Sequence, residues 1–148
     1  MQPLHDVDDE TAAYILETRR PFEDLRQVAA QLAGLLVLNA SGANTASPDH
    51  PMLASAAELY RDAAAGVQAA RPGRRALPHH RLLLKANADL GAALAAARKG
   101  LRVDAVLIPL RRAYRHLQDA AGALPGFEMV SFQHACCAAA RPPQENRT

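Results

Sequence analysis

The chain has 148 residues, the length of one domain and enough to bury a core without disulfides or metals. Its 17 basic and 15 acidic side chains give a net charge of +2, too close to balance for charge alone to indicate a nucleic-acid-binding protein. No apolar run approaches the roughly 20 residues that span a bilayer, and the N-terminus is acidic where a signal peptide is basic. We therefore expect one cytoplasmic domain over residues 1–148 that does not associate with membranes, with a loose segment at 1–7 and disorder at 138–148.

Apolar residues recur at spacings of three and four in four separate stretches, which is the period of an amphipathic helix. The stripes begin at Phe22, Leu53, Leu83 and Val103. Ala and Leu, which favour helices, dominate a hydrophobic fraction of 49%, while aromatic residues make up only 4%. Four such stripes pack around one core, and short connections make neighbouring helices antiparallel, so the sequence predicts an all-α, four-helix up-and-down bundle.

The N-terminal part predicts an extra short helix before the bundle. Asp8 is suited to cap this helix, which ends near Arg19, and Pro21 is suited to open the first bundle helix. That helix ends in the run 34–38, which is apolar on all sides, so its C-terminal half is predicted to be the most buried part of the protein. Gly42 is expected to adopt a left-handed conformation just beyond the helix.

The next two helices are bounded by proline and glycine. The second is predicted over 51–71, and the third over 78–99 with Gly100 just beyond its end. The helical period places a set of mostly large apolar side chains toward the core: Leu32, Leu36, Tyr60, Val67, Leu90, Leu94, Leu110 and Leu117.

The fourth stretch has two interpretations. In the first, Asp104 caps a helix that continues to Ala121 and contains Pro109. In the second, strands near 101–108 and 127–132 flank a helix opened by Pro109, which makes the fold α+β with a small C-terminal βαβ unit. We prefer the all-helical interpretation because long periodic segments carry the strongest signal.

A basic turn precedes the third helix and is the first candidate site. A helix N-terminus offers unpaired backbone donors and the positive end of the helix dipole, which suit a phosphate or another anion. The candidate anion-binding residues of this turn are Arg74, Arg75, His79, His80 and Arg81.

A second anion-binding candidate is the pair Arg111 and His116 in the fourth helix. The pair is similar to the Arg–His pair that acts at a phosphodiester in RNA-cleaving, nucleotide-binding bundles of prokaryotic toxin systems. With fifteen Arg and six His in the chain, however, such a spacing arises about twice by chance. We therefore assign no family from it.

His134, Cys136 and Cys137 form a third candidate site, for metal binding or redox chemistry. Thiolate and imidazole suit Zn or Cu, and a thiol near an imidazole can act as a nucleophile. Adjacent cysteines do not reach ordinary disulfide geometry, and the chain has no second cysteine pair to complete a closed zinc site. We therefore predict no cofactor, and we prefer the interpretation that the two cysteines are buried structural thiols, with metal or redox chemistry as the alternative.

The sequence contains no glycine-rich phosphate loop and no recognisable acid–base set. We therefore predict a non-enzymatic, cytoplasmic interaction or regulatory module whose partner is another protein or a second copy, since small-residue faces such as 92–97 allow helices to approach closely. One alternative is an enzyme acting on a phosphorylated or nucleic-acid substrate through Arg111, His116 and the turn at 74–81. The other is metal or redox sensing at His134, Cys136 and Cys137.

Overall fold

A computed structural model describes residues 7–42, 49–100 and 102–129. These residues form four helices and no strand: α1 (Asp9–Ala40), α2 (Pro51–Ala69), α3 (Leu77–Arg98) and α4 (Val103–Ala123). The predicted four-helix bundle is confirmed. The βαβ alternative is wrong for the described residues, because 103–108 belong to α4 and 127–129 contain no strand. Residue 101, residues 130–132 and the predicted disordered tail at 138–148 lie outside the described residues, as does 1–6 of the predicted loose N-terminus.

The start of α1 is fixed by the predicted cap. The Thr11 backbone N–H donates a hydrogen bond of 2.8 Å to Asp8 Oδ1, and this bond lowers the pKa of Asp8 below its usual value. The extra short helix, however, does not exist as a separate element, because α1 continues through Pro21. The ring of Pro21 is buried against Gly66 of α2, where an added Cβ would lie 2.5 Å from Pro21 Cγ. Burial of the ring in this contact offsets the hydrogen bond that a proline cannot donate.

A proline is also accommodated inside α4. The helix begins at Val103 with Arg102 as its cap, two residues before the predicted cap at Asp104, and Pro109 lies buried within it. The preferred prediction of one helix through Pro109 is confirmed, and the alternative in which Pro109 opens the helix is wrong. The ring is buried, as it is at Pro21.

The helices are arranged so that each is adjacent to the next along the chain. Helices α3 and α4 pack most extensively, α1 packs closely on α2, and α1 meets α4 much more sparsely. Seven of the eight predicted core residues are buried, namely Leu32, Leu36, Val67, Leu90, Leu94, Leu110 and Leu117. The eighth, Tyr60, is half-buried. Within the described residues, no helix is long and apolar enough to cross a membrane.

The C-terminal end of α1 is not the most buried part of the protein, contrary to the prediction. Val37 is 68% exposed and Leu38 is 38% exposed. A helix that is apolar all round is buried only where neighbours surround it, and α1 is covered mainly by α2 on one side. The predicted left-handed conformation of Gly42 is confirmed, with φ of +86°. Gly100 lies beyond the end of α3, as predicted, and also has a positive φ, of +115°.

Candidate binding groove between α1 and α4

A groove of about 890 Å³ lies along the sparse contact between α1 and α4. We call it the α1–α4 groove. Its volume falls within the roughly 300–1,000 Å³ of small-molecule sites. Its walls are formed by Glu23, Arg26, Gln27, Ala29, Ala30 and Ala33 of α1, by Leu107, Leu110, Arg111, Tyr114, Arg115 and Gln118 of α4, and by Met129.

Helical periodicity explains why these side chains share one groove. On α4 the residues at 107, 111, 114 and 118 follow one another at spacings of three and four, so they lie on one face. The neighbouring face of the same helix carries Val106, Ala113 and Leu117, which are buried in the core. Helix α4 therefore presents one stripe to the core and an adjacent stripe to the groove.

The groove is apolar at one end and polar at the other. Because the short connections make α1 and α4 antiparallel, Ala33 lies at the same end of the groove as Leu107. Arg26 lies at the other end, with Gln118. Beyond the apolar end the same two stripes continue into Val37 and Val103, which are 68% and 44% exposed. One end of the groove therefore offers uncovered hydrocarbon, and the other offers guanidinium and amide groups.

The positive charge of the groove is only partly compensated. Arg26 Nη2 donates to Glu23 Oε2 at 2.6 Å, and its Nη1 donates to the carbonyl oxygen of Glu128 at 2.8 Å. Arg111 and Arg115 are exposed and form no ion pair with any residue that the structure describes. Among the lining residues that the structure describes, three guanidiniums thus face one carboxylate, which Arg26 already engages, so the positive charges of Arg111 and Arg115 are open to a ligand.

The segment after α4 closes the polar end of the groove. Gly126, with φ of +91°, turns the chain back toward α1. Phe127 is buried between Phe22, at a ring-centroid distance of 5.1 Å, and His79, at 4.2 Å. This anchor places Met129 on the groove wall and the Glu128 carbonyl on Arg26.

His79, a predicted anion-binding residue, is fully buried and therefore not available to a ligand in solvent. Its Nδ1 lies 2.9 Å from the Tyr14 hydroxyl, which is also 3.3 Å from Nδ1 of His80. Burial lowers the pKa of His79 to about 4 and raises the pKa of Tyr14. The Nε2 atom of His79 is buried and has no hydrogen-bond partner among the described residues. This imidazole therefore acts as a neutral core group.

The remaining residues of the basic turn lie beside the acidic start of α1. Arg74, Arg75 and Arg81 are exposed. A Cβ added to Gly73 would lie 2.5 Å from the carboxyl group of Glu10, and the charge of Arg75 contributes to the lowered pKa of Asp8. Carboxylates of the protein thus already approach this turn, which makes it less attractive to an external anion. Anion binding here stays a prediction.

Arg111 and His116 do not form one site. They are five positions apart on α4, which separates their side chains by about 140° around the helix axis. Arg111 lines the α1–α4 groove, whereas His116 faces α3, with its Nε2 3.5 Å from Asp89 Oδ2. Asp89 Oδ1 is also 3.1 Å from Nη2 of Arg112. The predicted phosphodiester-cleaving pair is therefore not assembled within the chain.

His134, Cys136 and Cys137 lie outside the described residues. In the part of the chain that the structure describes, no group of three or more His, Cys, Asp or Glu residues is placed to hold a metal ion. The metal or redox prediction for the C-terminal residues stays a prediction.

The groove was not predicted from the sequence, because the spacing of apolar residues identifies only the helix face that points to the core. Arg26, Tyr114, Arg115 and Gln118 fall on polar or mixed positions that read as ordinary solvent-facing residues. The usable signal was the repeat of Arg111, Arg115 and Gln118 at spacings of four and three on one helix face. Comparisons with protein-family models, curated proteins and solved structures find no match for this chain.

Proposed function

We propose that the protein is a non-enzymatic binding module and that the α1–α4 groove is its binding site. The observation that carries the proposal is the combination of an apolar groove of about 890 Å³ with two guanidiniums that have no ion-pair partner among the described residues. An apolar cavity with a few convergent polar groups is the usual form of a ligand site.

The arrangement of the ionisable groups also favours binding over catalysis. Arg111 and His116, the pair predicted for phosphodiester chemistry, lie on different sides of α4. His79 is buried in the core as a neutral group. A catalytic site needs a nucleophile or base within hydrogen-bond reach of its partner and accessible to the substrate. Among the described residues, Arg111 and His116 do not converge, and burial withdraws His79 from a ligand in solvent.

The proposal is tested with Nile red, an uncharged dye that fluoresces in apolar sites, and with a variant that fills the groove. Ala33→Trp places a large ring in the apolar end, and we expect it to abolish most of the dye signal. Ala95→Trp is the matched control, because Ala95 is also exposed and lines a smaller depression of about 430 Å³ between α2 and α3. Equal dye binding by the wild type and Ala33→Trp would contradict the proposal.

Self-association is a second candidate function, favoured by the exposed apolar side chains where α1 ends and α4 begins. Val37, Leu38 and Val103 are 68%, 38% and 44% exposed. Clustered apolar side chains on a surface mark places where proteins associate. We propose that this end of the bundle contacts a second copy, which sedimentation of the wild type and Val37→Lys tests. A strict monomer at high protein concentration contradicts this candidate.

A further inference from the structure

We infer that the ligand of the α1–α4 groove is a single-chain carboxylate amphiphile, an unbranched hydrocarbon with a carboxylate head. This inference rests on the proposed function and names the ligand class of the same site. The head binds at Arg111, Arg115 and Gln118, and the chain extends along Ala30, Ala33 and Leu107.

The head site follows from the spacing of three donors on α4. Arg111, Arg115 and Gln118 occupy positions i, i+4 and i+7, so their side chains lie one above another on one face. Arginine presents a planar fork of N–H donors that matches both oxygens of a carboxylate. Arg26 is held by Glu23 and by the Glu128 carbonyl, so within the described part of the groove Arg111 and Arg115 are the cations placed to receive the head group.

The tail site follows from the gradient along the groove. From Ala29 to Ala33 the apolar part of the α1 wall spans four residue steps, or about 6 Å at 1.5 Å per residue, and Val37 lies four steps further along the same helix. The small side chains of Ala29, Ala30 and Ala33 leave the groove deep over this distance, and Leu107 supplies an apolar wall opposite them. An unbranched chain of medium length matches this narrow apolar path, and it continues toward the exposed Val37 and Val103.

The volume of the groove, about 890 Å³, lies within the range of small-molecule sites, which favours a small amphiphile as its ligand. The carboxylate head satisfies the positive charge of the groove, and the hydrocarbon chain covers its apolar wall. If the occupant is instead an acidic helix of a protein partner, the test below shows a groove that binds Nile red but not decanoate.

The test compares three compounds with the same hydrocarbon chain: decanoate, decyltrimethylammonium and decanol. Binding is measured by calorimetry and by displacement of Nile red from the wild-type protein. We expect decanoate to bind at least about tenfold more tightly than the cation or the alcohol, since a charge-assisted hydrogen bond contributes more than a neutral contact. The preference for decanoate should shrink at high salt, because salt screens exposed charges.

Substitutions of the two groove arginines test where the carboxylate head binds. Arg111→Gln/Arg115→Gln should weaken decanoate binding about tenfold or more and leave decanol binding unchanged. The matched control is Arg61→Gln/Arg98→Gln, which removes two arginines from the smaller depression between α2 and α3. This control should leave all three affinities unchanged.

Each other outcome overturns the inference in an identifiable way. One such outcome is that decanol and decanoate bind equally well, that Ala33→Trp weakens both, and that the arginine substitutions weaken neither. The groove is then a binding site for an uncharged ligand, and only the ligand class is wrong. The ligand class alone is also wrong if Nile red binds in the groove and decanoate does not. If Ala33→Trp affects no compound and not Nile red either, the proposed function fails as well.

Discussion

Helix α4 meets α3 on one side and α1 on the other, and the two contacts differ. The α3–α4 side is closed, and both helices bury small residues in the core there: Ala86, Ala93 and Ala97 on α3, and Ala113 and Ala120 on α4. On the α1–α4 side the alanines Ala30 and Ala33 lie across from Leu107, Arg111 and Tyr114, and a groove remains. Alanine alone therefore does not decide whether two helices close on each other, since it is buried on both helices of the closed side and lines a groove on the open side, where the opposite wall carries longer side chains.

The largest expected effect lies on the closed side. Leu117 is fully buried, so we expect Leu117→Ala to lower the free energy of unfolding by about 2–5 kcal/mol through lost burial and the cavity left behind. Leu36→Ala, at 9% exposure, should fall toward the lower end of that range. Urea unfolding measures both. If both changes were harmless, the inward stripes described above would be wrong.

Acid should destabilise the protein through His79 of α3, whose ring packs on Phe127 just after α4. An unfolded histidine titrates near 6.5 and this one near 4, so between these values the unfolded chain binds more protons. Stability should therefore fall by about 3 kcal/mol as pH drops from 6.5 to 4, and level off below. The His79→Leu variant should lose about 3 kcal/mol less than the wild type over that interval. An identical loss in both proteins would show that His79 is not held neutral.

A substitution at Gly66 tests whether the size of a side chain limits the distance between two helices at a third interface, that of α1 and α2. A Cβ at Gly66 would lie 2.5 Å from Pro21 Cγ, so Gly66→Ala should cost about 1–3 kcal/mol by overpacking. Gly122→Ala is the control, since nothing lies within 4 Å of its Cβ position, and it should stabilise the helix by up to about 1 kcal/mol. Pro21→Ala in the Gly66→Ala background should recover part of the loss. Thermal unfolding that ranks the two glycine variants the other way would refute the close contact.

The smallest effect is expected on the open side. Arg111→Ala and Arg74→Ala should each change the free energy of unfolding by less than about 0.5 kcal/mol, because both side chains are exposed and neither is a helix cap. Urea unfolding beside Leu117→Ala provides the comparison. A large loss in Arg111→Ala would mean that the groove arginines hold the bundle together and are not reserved for a ligand.

The parts of the fold that depend on local pattern could be predicted from the sequence. The helical spacing of apolar residues correctly predicted that Leu32, Leu90 and Leu117 are buried. The capping preference of Asp8 and the position of Gly100 correctly predicted the start of one helix and the end of another. These features depend on side chains within one or two turns of each other.

The parts that depend on distant neighbours could not be predicted. Pro21 was predicted to open a helix, but its ring is buried inside α1 against Gly66 of another helix. Pro109 left two interpretations open for the same reason, because the local sequence does not show what surrounds the ring. The exposure of Val37 and the existence of the groove depend on how sparsely α1 meets α4. Of the groove arginines, only Arg111 was a candidate, and for a different site.

The sparse contact has a consequence for the order in which the chain folds. The two most extensive contacts join helices that follow one another in sequence, whereas α1 and α4 are the first and last helices and close the longest loop. Closing a long loop costs more chain entropy, and local contacts form faster, so we expect α1 and α4 to meet last. A ligand bound between them stabilises a contact that is absent while most of the molecule assembles. Its effect should therefore appear as slower unfolding, with the folding rate almost unchanged.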